Sequence, residues 1–290
     1  MPPYLLINPL SGSYSPALRV QLLSQLESAG IIPEVLTVTG PEDAQLVCAQ
    51  IEAAEENPVV IVAGGDGTIN AVLNALTPGR ATIGILPVGT ANVLAHELGI
   101  NSVAAGIECI ASGKIRTLAV GLIERENGSS QRFVLMAGIG LDGSIVQGVR
   151  LREKRLLKKG AYLLSALRCL MKWPRGRFPV IVDGSTHKCH SVIICNGARY
   201  GGNLALIPNA DISEPSLELF CITSESRLSY LKIIMSVLSG RPCRCSDVTL
   251  LRAAQVEICG DRPIQVDGDS CGLAPVRVGT IADFARIYSP

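Results

Sequence analysis

Apolar positions in the first third of the chain fall into two alternating patterns. Tyr4–Ile7 and Val59–Ala63 are short unbroken apolar runs, Val35–Val38 is a strand-length run broken only by Thr37, and a fourth lies in "ATIGILPVGT" at Ala81–Thr90. Between them the spacing is helical. Pro41–Glu56 keeps Ala44, Val47, Cys48 and Ile51 on one face, and Thr68–Leu76 turns Val72, Leu73 and Leu76 inward. Ser15-Pro16 supplies an N-cap and a first-turn proline for a helix reaching Gly30, and two more helices are predicted at Asn92–Leu98 and Val103–Ala111. Strand-helix alternation of this kind predicts a parallel, helix-covered sheet over roughly the first 115 residues.

Beyond Lys114 the pattern changes to strand-length runs separated by turn residues: "TLAVGLIE", "FVLMAGIG", "FPVIVDG", "HSVIICN", "LELFCIT", "VTLLRA", "QVEICG" and "IQVDGD". Such spacing predicts a mainly antiparallel sandwich, interrupted by helical stretches near 146–172 and 226–239. With 290 residues, two domains are expected.

Composition supports this division. Hydrophobic residues make up 48% and aromatic residues 4%, so the core must be built from aliphatic side chains, as in buried parallel sheets. A net charge of +1 offers no global field for a polyanion, so nucleic acid is not an expected partner. The ten cysteines show no paired CxxC spacing and read as small buried hydrophobes. The N-terminus lacks the basic and apolar regions of a signal peptide, and no uncharged run reaches the ~18 residues of a membrane span. A reducing, cytoplasmic setting is therefore expected.

The candidate chemistry lies where strands end. Gly64-Gly65-Asp66-Gly67-Thr68 interrupts an apolar run and leads into a helix, so it lies at the carboxyl edge of the sheet, where α/β folds bind ligands. Glycines admit a phosphate close to the backbone, and free amides at the helix start attract it. Asp66 among those amides is either a cation ligand, a proton acceptor or the helix N-cap. Asn8, Ser11 and Gly12 follow the first strand and Gly89 and Thr90 the fourth, so three loops converge on one edge.

The motifs NPxSG (Asn8–Gly12), GGDGT (Gly64–Thr68) and PxGTxN (Pro87–Asn92), in this order, resemble the diacylglycerol kinase catalytic family, which includes bacterial lipid kinases and sphingosine kinases. "AGIGLDG" (Ala137–Gly143), "NGARYGGNLALIPNADISEPSLEL" and "IQVDGD" extend the resemblance over nearly the whole chain. It implies a phosphofructokinase-like α/β nucleotide domain, residues 1–118 with 279–290, and a β-sandwich lipid-substrate domain, residues 119–278, with the active cleft between them. It also implies that Asn8, Pro9, Ser11, Gly12, Thr39, Gly65, Asp66, Gly67, Thr68, Ile69, Asn70, Thr90, Asp267 and Gly268 bind ATP. Asp66 would lie beside the transferred phosphate, and Asp269, closing Asp-Gly-Asp where the family has Asp-Gly-Glu, would accept the proton of the lipid hydroxyl. Asp211, Glu214 and Ser216 would hold Mg²⁺, although Glu214-Pro215 replaces the family's Asp-Gly pair.

Two other readings compete with an ATP-dependent kinase of a diacylglycerol-like lipid. An NAD kinase shares GGDGT but would carry an Asn-Glu or Asn-Asp pair downstream, and none occurs between Gly79 and Asn127. A nucleotide-binding module without turnover is compatible with the changes at 269 and 214–215. Val149–Trp173 is rich in Arg and Lys, and the alternative for one or two of Arg155, Lys158 and Lys159 is contact with ATP phosphates. Its composition suits an anionic membrane surface, each basic residue contributing ~1 kcal/mol. The expected partners are thus a lipid substrate and a membrane contacted through residues 150–159, and a homodimer is compatible with the sequence. His187 and His190 are expected at the surface, and Trp173 before Pro174 is expected simply to end a helix.

Overall fold

The computed structural model describes residues 2–149, 159–171, 173–200, 204–239 and 245–290. The chain opens with β1 (Tyr4–Ile7), α1 (Pro16–Ser28), β2 (Glu34–Thr37), α2 (Pro41–Ala54), β3 (Val59–Gly64), α3 (Asp66–Ala75), β4 (Thr82–Pro87), α4 (Val93–Glu97) and α5 (Val103–Ser112). The four strands run parallel in the order β2-β1-β3-β4. Their order reverses between β1 and β3, so the loops after these two strands diverge and open a crevice above the sheet. Both faces are covered: Leu5, Ile61 and Leu86 pack with Leu22 and Leu26 of α1, while Leu6, Val60 and Val62 pack with α2 and α3. Ser15 caps α1 as its sequence suggests, its Oγ accepting from Leu18 N at 3.1 Å.

The second half contains β5 (Ile115–Glu124), β6 (Ser130–Phe133), β7 (Met136–Ile139), α6 (Leu141–Gln147), α7 (Lys159–Met171), β8 (Phe178–Val182), β9 (Ser185–Cys189), β10 (Ser191–Cys195), β11 (Arg199–Tyr200) and β12 (Leu204–Ala205). It continues through β13 (Leu217–Ile222), α8 (Arg227–Leu238), β14 (Val248–Ala253), β15 (Val256–Ile258), β16 (Pro263–Val266), β17 (Asp269–Leu273) and β18 (Val276–Tyr288). An antiparallel six-stranded sheet, β14-β13-β10-β7-β16-β17, lies against a second layer built from β5, β6, β8, β9, β15 and the first part of β18. Ile139, Val192, Leu219 and Val278 fill the space between these layers. The ring tip of Phe133 fills the space beside Gly121, where a Cβ would stand 2.0 Å from its Cζ.

β18 joins the two halves. Its end pairs in parallel with β4 (Arg286↔Thr82, Ile287↔Ile83), while β5 and β15 pair with it antiparallel. The β5–β18 ladder runs unbroken through residues 278/279, whereas at 118/119 it shifts register between Ile281 and Ala285 and Ala119 donates instead to Ile212 O at 2.7 Å, so one sheet still joins the crevice side to the sandwich.

Candidate active site

The three strand-end loops are pinned to one another. Asn8 donates through Nδ2 to Thr68 Oγ1 at 2.8 Å and accepts at Oδ1 from Leu10 N at 2.8 Å. Ser13 donates from its amide to Val88 O at 3.1 Å and from its hydroxyl to Gly89 O at 3.2 Å. Asn92, in the left-handed region with φ +48°, brackets Gly89 by accepting from its N–H at 2.8 Å and donating to its carbonyl at 3.0 Å. The glycines are close approaches. A Cβ on Gly89 would stand 2.4 Å from Gly65 Cα, and one on Gly12 would stand 2.4 Å from Thr90 Oγ1. The result is a saddle of bare backbone beside the amide end of α3, suited to an anion.

This saddle forms one wall of a cleft of about 780 Å³. Asn8, Ser11, Gly12, Thr39, Gly65, Asp66, Gly67, Thr68 and Thr90 line it, and Asp267, Gly268 and Asp269 line it from the sandwich. Leu135, Met136, Ile145 and Val146 give the cleft an apolar side. Ile69 and Asn70 occupy other positions: Ile69 is buried in the core, and Asn70 donates through Nδ2 to Asp267 Oδ2 at 2.9 Å. Pro9 is not among the lining residues.

Asp66 is the first residue of α3, whose N-cap is Gly65, so the N-cap reading of this aspartate is corrected. Its carboxylate reaches across to α4 instead, Oδ1 accepting from Leu94 N at 3.1 Å. Thr39 directs both its amide and its hydroxyl to Asp43 Oδ2, the amide at 3.0 Å, and this lowers the Asp43 carboxyl from the ordinary carboxylate range.

The opposite wall is set by a two-residue hairpin. Asp267 and Gly268 have φ of +47° and +89°, as the tight turn between β16 and β17 requires, and Asp269 opens β17 facing Val266. Asp267 also ties this turn to the rest of the molecule. Its Oδ1 accepts from Leu135 N at 3.0 Å and Met136 N at 2.9 Å, and its Oδ2 from Val134 N at 2.7 Å and from Asn70. Burial pushes the Asp267 carboxyl up to about 6, against the opposing pull of the three backbone amides and with a small upward contribution from the Asp66 charge.

Behind the turn lies a buried acid that reading the sequence gave no role. Asp142, in the first turn of α6, accepts from the Tyr200 hydroxyl at Oδ1 and from Gln265 Nε2 at Oδ2, the latter at 2.8 Å. Gln265 in turn accepts from Gly268 N at 2.8 Å, so the chain Tyr200–Asp142–Gln265–Gly268 ends beside Asp269. Desolvation raises the Asp142 carboxyl, and burial with the Asp142 charge raises Tyr200 strongly. The sequence signal for this group is the glycine spacing of "AGIGLDG": a Cβ on Gly138 would stand 1.7 Å from Asp142 Oδ2, and one on Gly143 2.0 Å from Pro263 O.

Asp211, Glu214 and Ser216 lie on the β12–β13 connection and do not line the cleft. Glu214 is bound by the guanidinium of Arg252, which also donates to Ser216 Oγ at 2.8 Å and stands 3.5 Å from Glu218. Asp211 faces Arg116 at 3.7 Å and accepts from Ser213 N at 2.9 Å. Among the described residues no three His, Cys, Asp or Glu side chains are grouped to hold a metal ion. An arginine holds the position of positive charge expected for Mg²⁺, so this loop as arranged does not fit the ion.

Two further expectations are corrected. His190 is buried rather than exposed, its Nε2 2.9 Å from Pro174 O and its Nδ1 2.7 Å from the Tyr230 hydroxyl. Trp173 does more than end a helix: its indole stacks on His190 at 5.7 Å and donates to Glu225 O at 2.8 Å, tying the end of α7 to the start of α8. The basic residues 150–158 lie outside the described residues. No described helix is long and apolar enough to cross a membrane.

The folded frame and its cleft define an α/β enzyme joined to a β-sandwich. Residues 2–123 match the model of the diacylglycerol kinase catalytic domain, and residues 136–288 match that of the YegS C-terminal NAD kinase beta sandwich-like domain. A diacylglycerol kinase of Mycobacterium tuberculosis is 26% identical over 98% of this chain and 94% of its own length. A YegS-like lipid kinase of Chromohalobacter salexigens is 30% identical over 73% of this chain and 70% of its own. The fold is shared with a crystal structure of a diacylglycerol kinase from Bacillus anthracis str. Sterne, with a TM-score of 0.75 at 20% identity over 100% of this chain and 97% of that one. The chain belongs to the diacylglycerol kinase catalytic family and is a lipid kinase, a phosphotransferase.

Proposed function

We propose that this enzyme transfers the γ-phosphoryl group of ATP to the hydroxyl of a diacylglycerol-like lipid, working at a membrane surface. The observation that carries the reading is the composition of the cleft: a glycine saddle with helix-end amides and Asp66 on one wall, Asp269 on the facing hairpin, and apolar side chains along one side. The saddle suits the nucleotide phosphates, and Leu135, Met136, Ile145 and Val146 suit the lipid's glycerol and upper acyl carbons. In the transfer, the lipid oxygen forms a bond to the γ-phosphorus as the bond to the β-bridging oxygen breaks. Asp269 takes the hydroxyl proton, and ADP leaves. Mg²⁺ bound to the nucleotide would supply charge neutralisation on the phosphates, and the 211–216 loop, whose Glu214 is engaged by Arg252, is not proposed to hold it. Asp267 and Gln265 position Asp269 through the turn that precedes it.

The test is turnover with radiolabelled ATP and mixed micelles containing diacylglycerol, comparing wild type with Asp269→Asn. Loss of a general base lowers rates by ~10²–10⁴-fold, so Asp269→Asn should keep nucleotide affinity and lose kcat by a factor in that range. A variant as active as wild type removes Asp269 from the chemistry. Absence of labelled lipid with any alcohol acceptor in the wild type favours the nucleotide-binding module.

A further inference from the structure

α8 is apolar on two opposite faces. Tyr230 and Ile233 point into the core, yet Leu228, Leu231, Ile234, Met235 and Leu238 lie on the outer side, with Leu228 70% and Leu238 59% exposed. The positions 228, 231, 235 and 238 follow helical spacing, so they form one stripe along the helix rather than scattered surface residues. The end of α7 adds Leu167 and Met171, the latter 76% exposed. Trp173 joins the two helices through its bond to Glu225 O, and the Arg227 guanidinium lies over its ring at 5.7 Å. An apolar stripe of this length on a protein surface marks an interaction site.

The charges around the stripe identify its occupant. Arg227 and Lys232 are exposed on α8, and Arg175 and Arg177 are exposed just beyond α7. Glu225, the acid at this end, is already engaged by Gly176 N at 3.1 Å and by Arg177 at 3.7 Å. Apolar side chains edged by arginine and lysine match the two layers of an anionic bilayer, acyl chains below and phosphate headgroups above. The two helices that carry the stripe also adjoin elements of the cleft wall. α8 packs on β12, whose partner β11 carries Tyr200 in the cleft wall, and α7 packs on α6, which carries Asp142, Ile145 and Val146.

We infer that the outer face of α8, with the adjoining end of α7, is the surface on which this protein docks on an anionic membrane, lying in the interface plane so that the apolar side of the cleft borders the lipid. This rests on the reading of the acceptor as a bilayer lipid. The helix has 12 residues, too few to span the hydrocarbon but enough to lie along it.

The experiment compares wild type, Leu231→Gln/Met235→Gln/Leu238→Gln, and Arg227→Glu/Lys232→Glu. Each is sedimented with vesicles of phosphatidylcholine containing phosphatidylglycerol, and each is assayed with diacylglycerol in vesicles and in detergent mixed micelles. Replaced side chains on the exposed face should leave the circular dichroism spectrum unchanged, with the melting temperature lowered only in the charge variant, which loses the Arg227 contact over Trp173. The glutamine variant should lose vesicle partitioning by at least about tenfold, and the charge variant should bind less and show a weaker salt dependence, since Arg175 and Arg177 remain. Both should lose vesicle turnover while keeping micelle turnover. Vesicle binding by the variants equal to wild type overturns the docking surface and leaves the kinase reading intact. Wild-type vesicle binding that the variants lose, with no lipid phosphorylated in either assay, supports the surface and overturns the function. If light scattering shows a wild-type dimer that the glutamine variant converts to monomer, with vesicle binding unchanged, the stripe is instead an interface between two copies of the chain.

Discussion

Gly89→Ala offers a direct test of the saddle. The Gly89 backbone does not have a positive φ, so alanine suffers no dihedral strain there and the cost is one of contact. Its Cβ would lie 2.4 Å from Gly65 Cα and 2.6 Å from Asn92 Oδ1, whereas ordinary contact begins at 3.4 Å. The first neighbour is backbone and cannot rotate away, so the loops after β3 and β4 must separate by about 1 Å, a displacement that can cost ~10²-fold in turnover. Overpacking of this kind costs ~1–3 kcal/mol, a loss of several degrees in melting temperature at ~2–4 °C per kcal/mol. Gly12→Ala meets the Thr90 hydroxyl, a side chain that can turn, so its stability cost should be smaller. Gly67→Ala is the contrast: beyond its chain neighbours and the backbone of its own helix, no atom lies within 4 Å of the added Cβ, yet the residue lines the cleft. It should leave stability unchanged or improved by helix propensity while weakening nucleotide binding, because the empty space is where phosphate would lie. Calorimetric titration with a non-hydrolysable ATP analogue and thermal melts separate the three. Wild-type affinity and turnover in Gly89→Ala would refute the view that these loops form one rigid phosphate cradle.

Two further expectations concern charge. With Arg252 on Glu214 and Ser216, EDTA should leave the melting temperature of the nucleotide-free protein unchanged, and Arg252→Met should lower stability by no more than ~1 kcal/mol since the pair is half exposed. A chelator-sensitive melt of the wild type would reveal a metal at the loop after all. The Asp267 carboxyl, raised to about 6 in the folded chain, holds its proton more tightly there than in the unfolded chain, so its stabilisation is fully present below about pH 4 and is lost as pH rises through 6. Urea midpoints measured from pH 4 to 7 should therefore decline in wild type relative to Asp267→Asn, and parallel curves for the two would show that Asp267 is already ionised at pH 4.

The alternation of strands with helices was legible because β1, β3 and β4 are buried on both faces and write themselves as apolar runs, while the edge strand β2 is half exposed and carries the weaker signal. Capping was legible too, since Ser15-Pro16 acts within one turn. The start of α3 was not: it begins at Asp66, two residues before the expected Thr68, because its cap is the backbone of Gly65 and its first carboxylate serves α4. His190 and Trp173 were misjudged for the same physical reason. Their partners, Tyr230 and Glu225, are 40 and 52 residues away, and no local pattern reports a contact of that range.

The site divides along the same line. Its glycine wall was visible in Gly12, Gly65 and Gly89, because a close backbone approach leaves a missing side chain in the sequence itself. The "VDGD" turn was equally readable as a hairpin, and that turn fixes where Asp269 stands. What no run of letters encodes is competition for a carboxylate. Asp211, Glu214 and Ser216 form a reasonable oxygen set by type, but Arg252, arriving from β14, is 38 residues beyond Glu214 and supplies the positive charge first. Asp142 is the converse case: an acid with no partner in its own segment, which becomes part of the cleft only when β11 brings Tyr200 and β16 brings Gln265 against it. A carboxylate in a sequence is thus an offer of negative charge, and whether a metal, an arginine or a hydroxyl takes it is decided by the sheet order that delivers the partner.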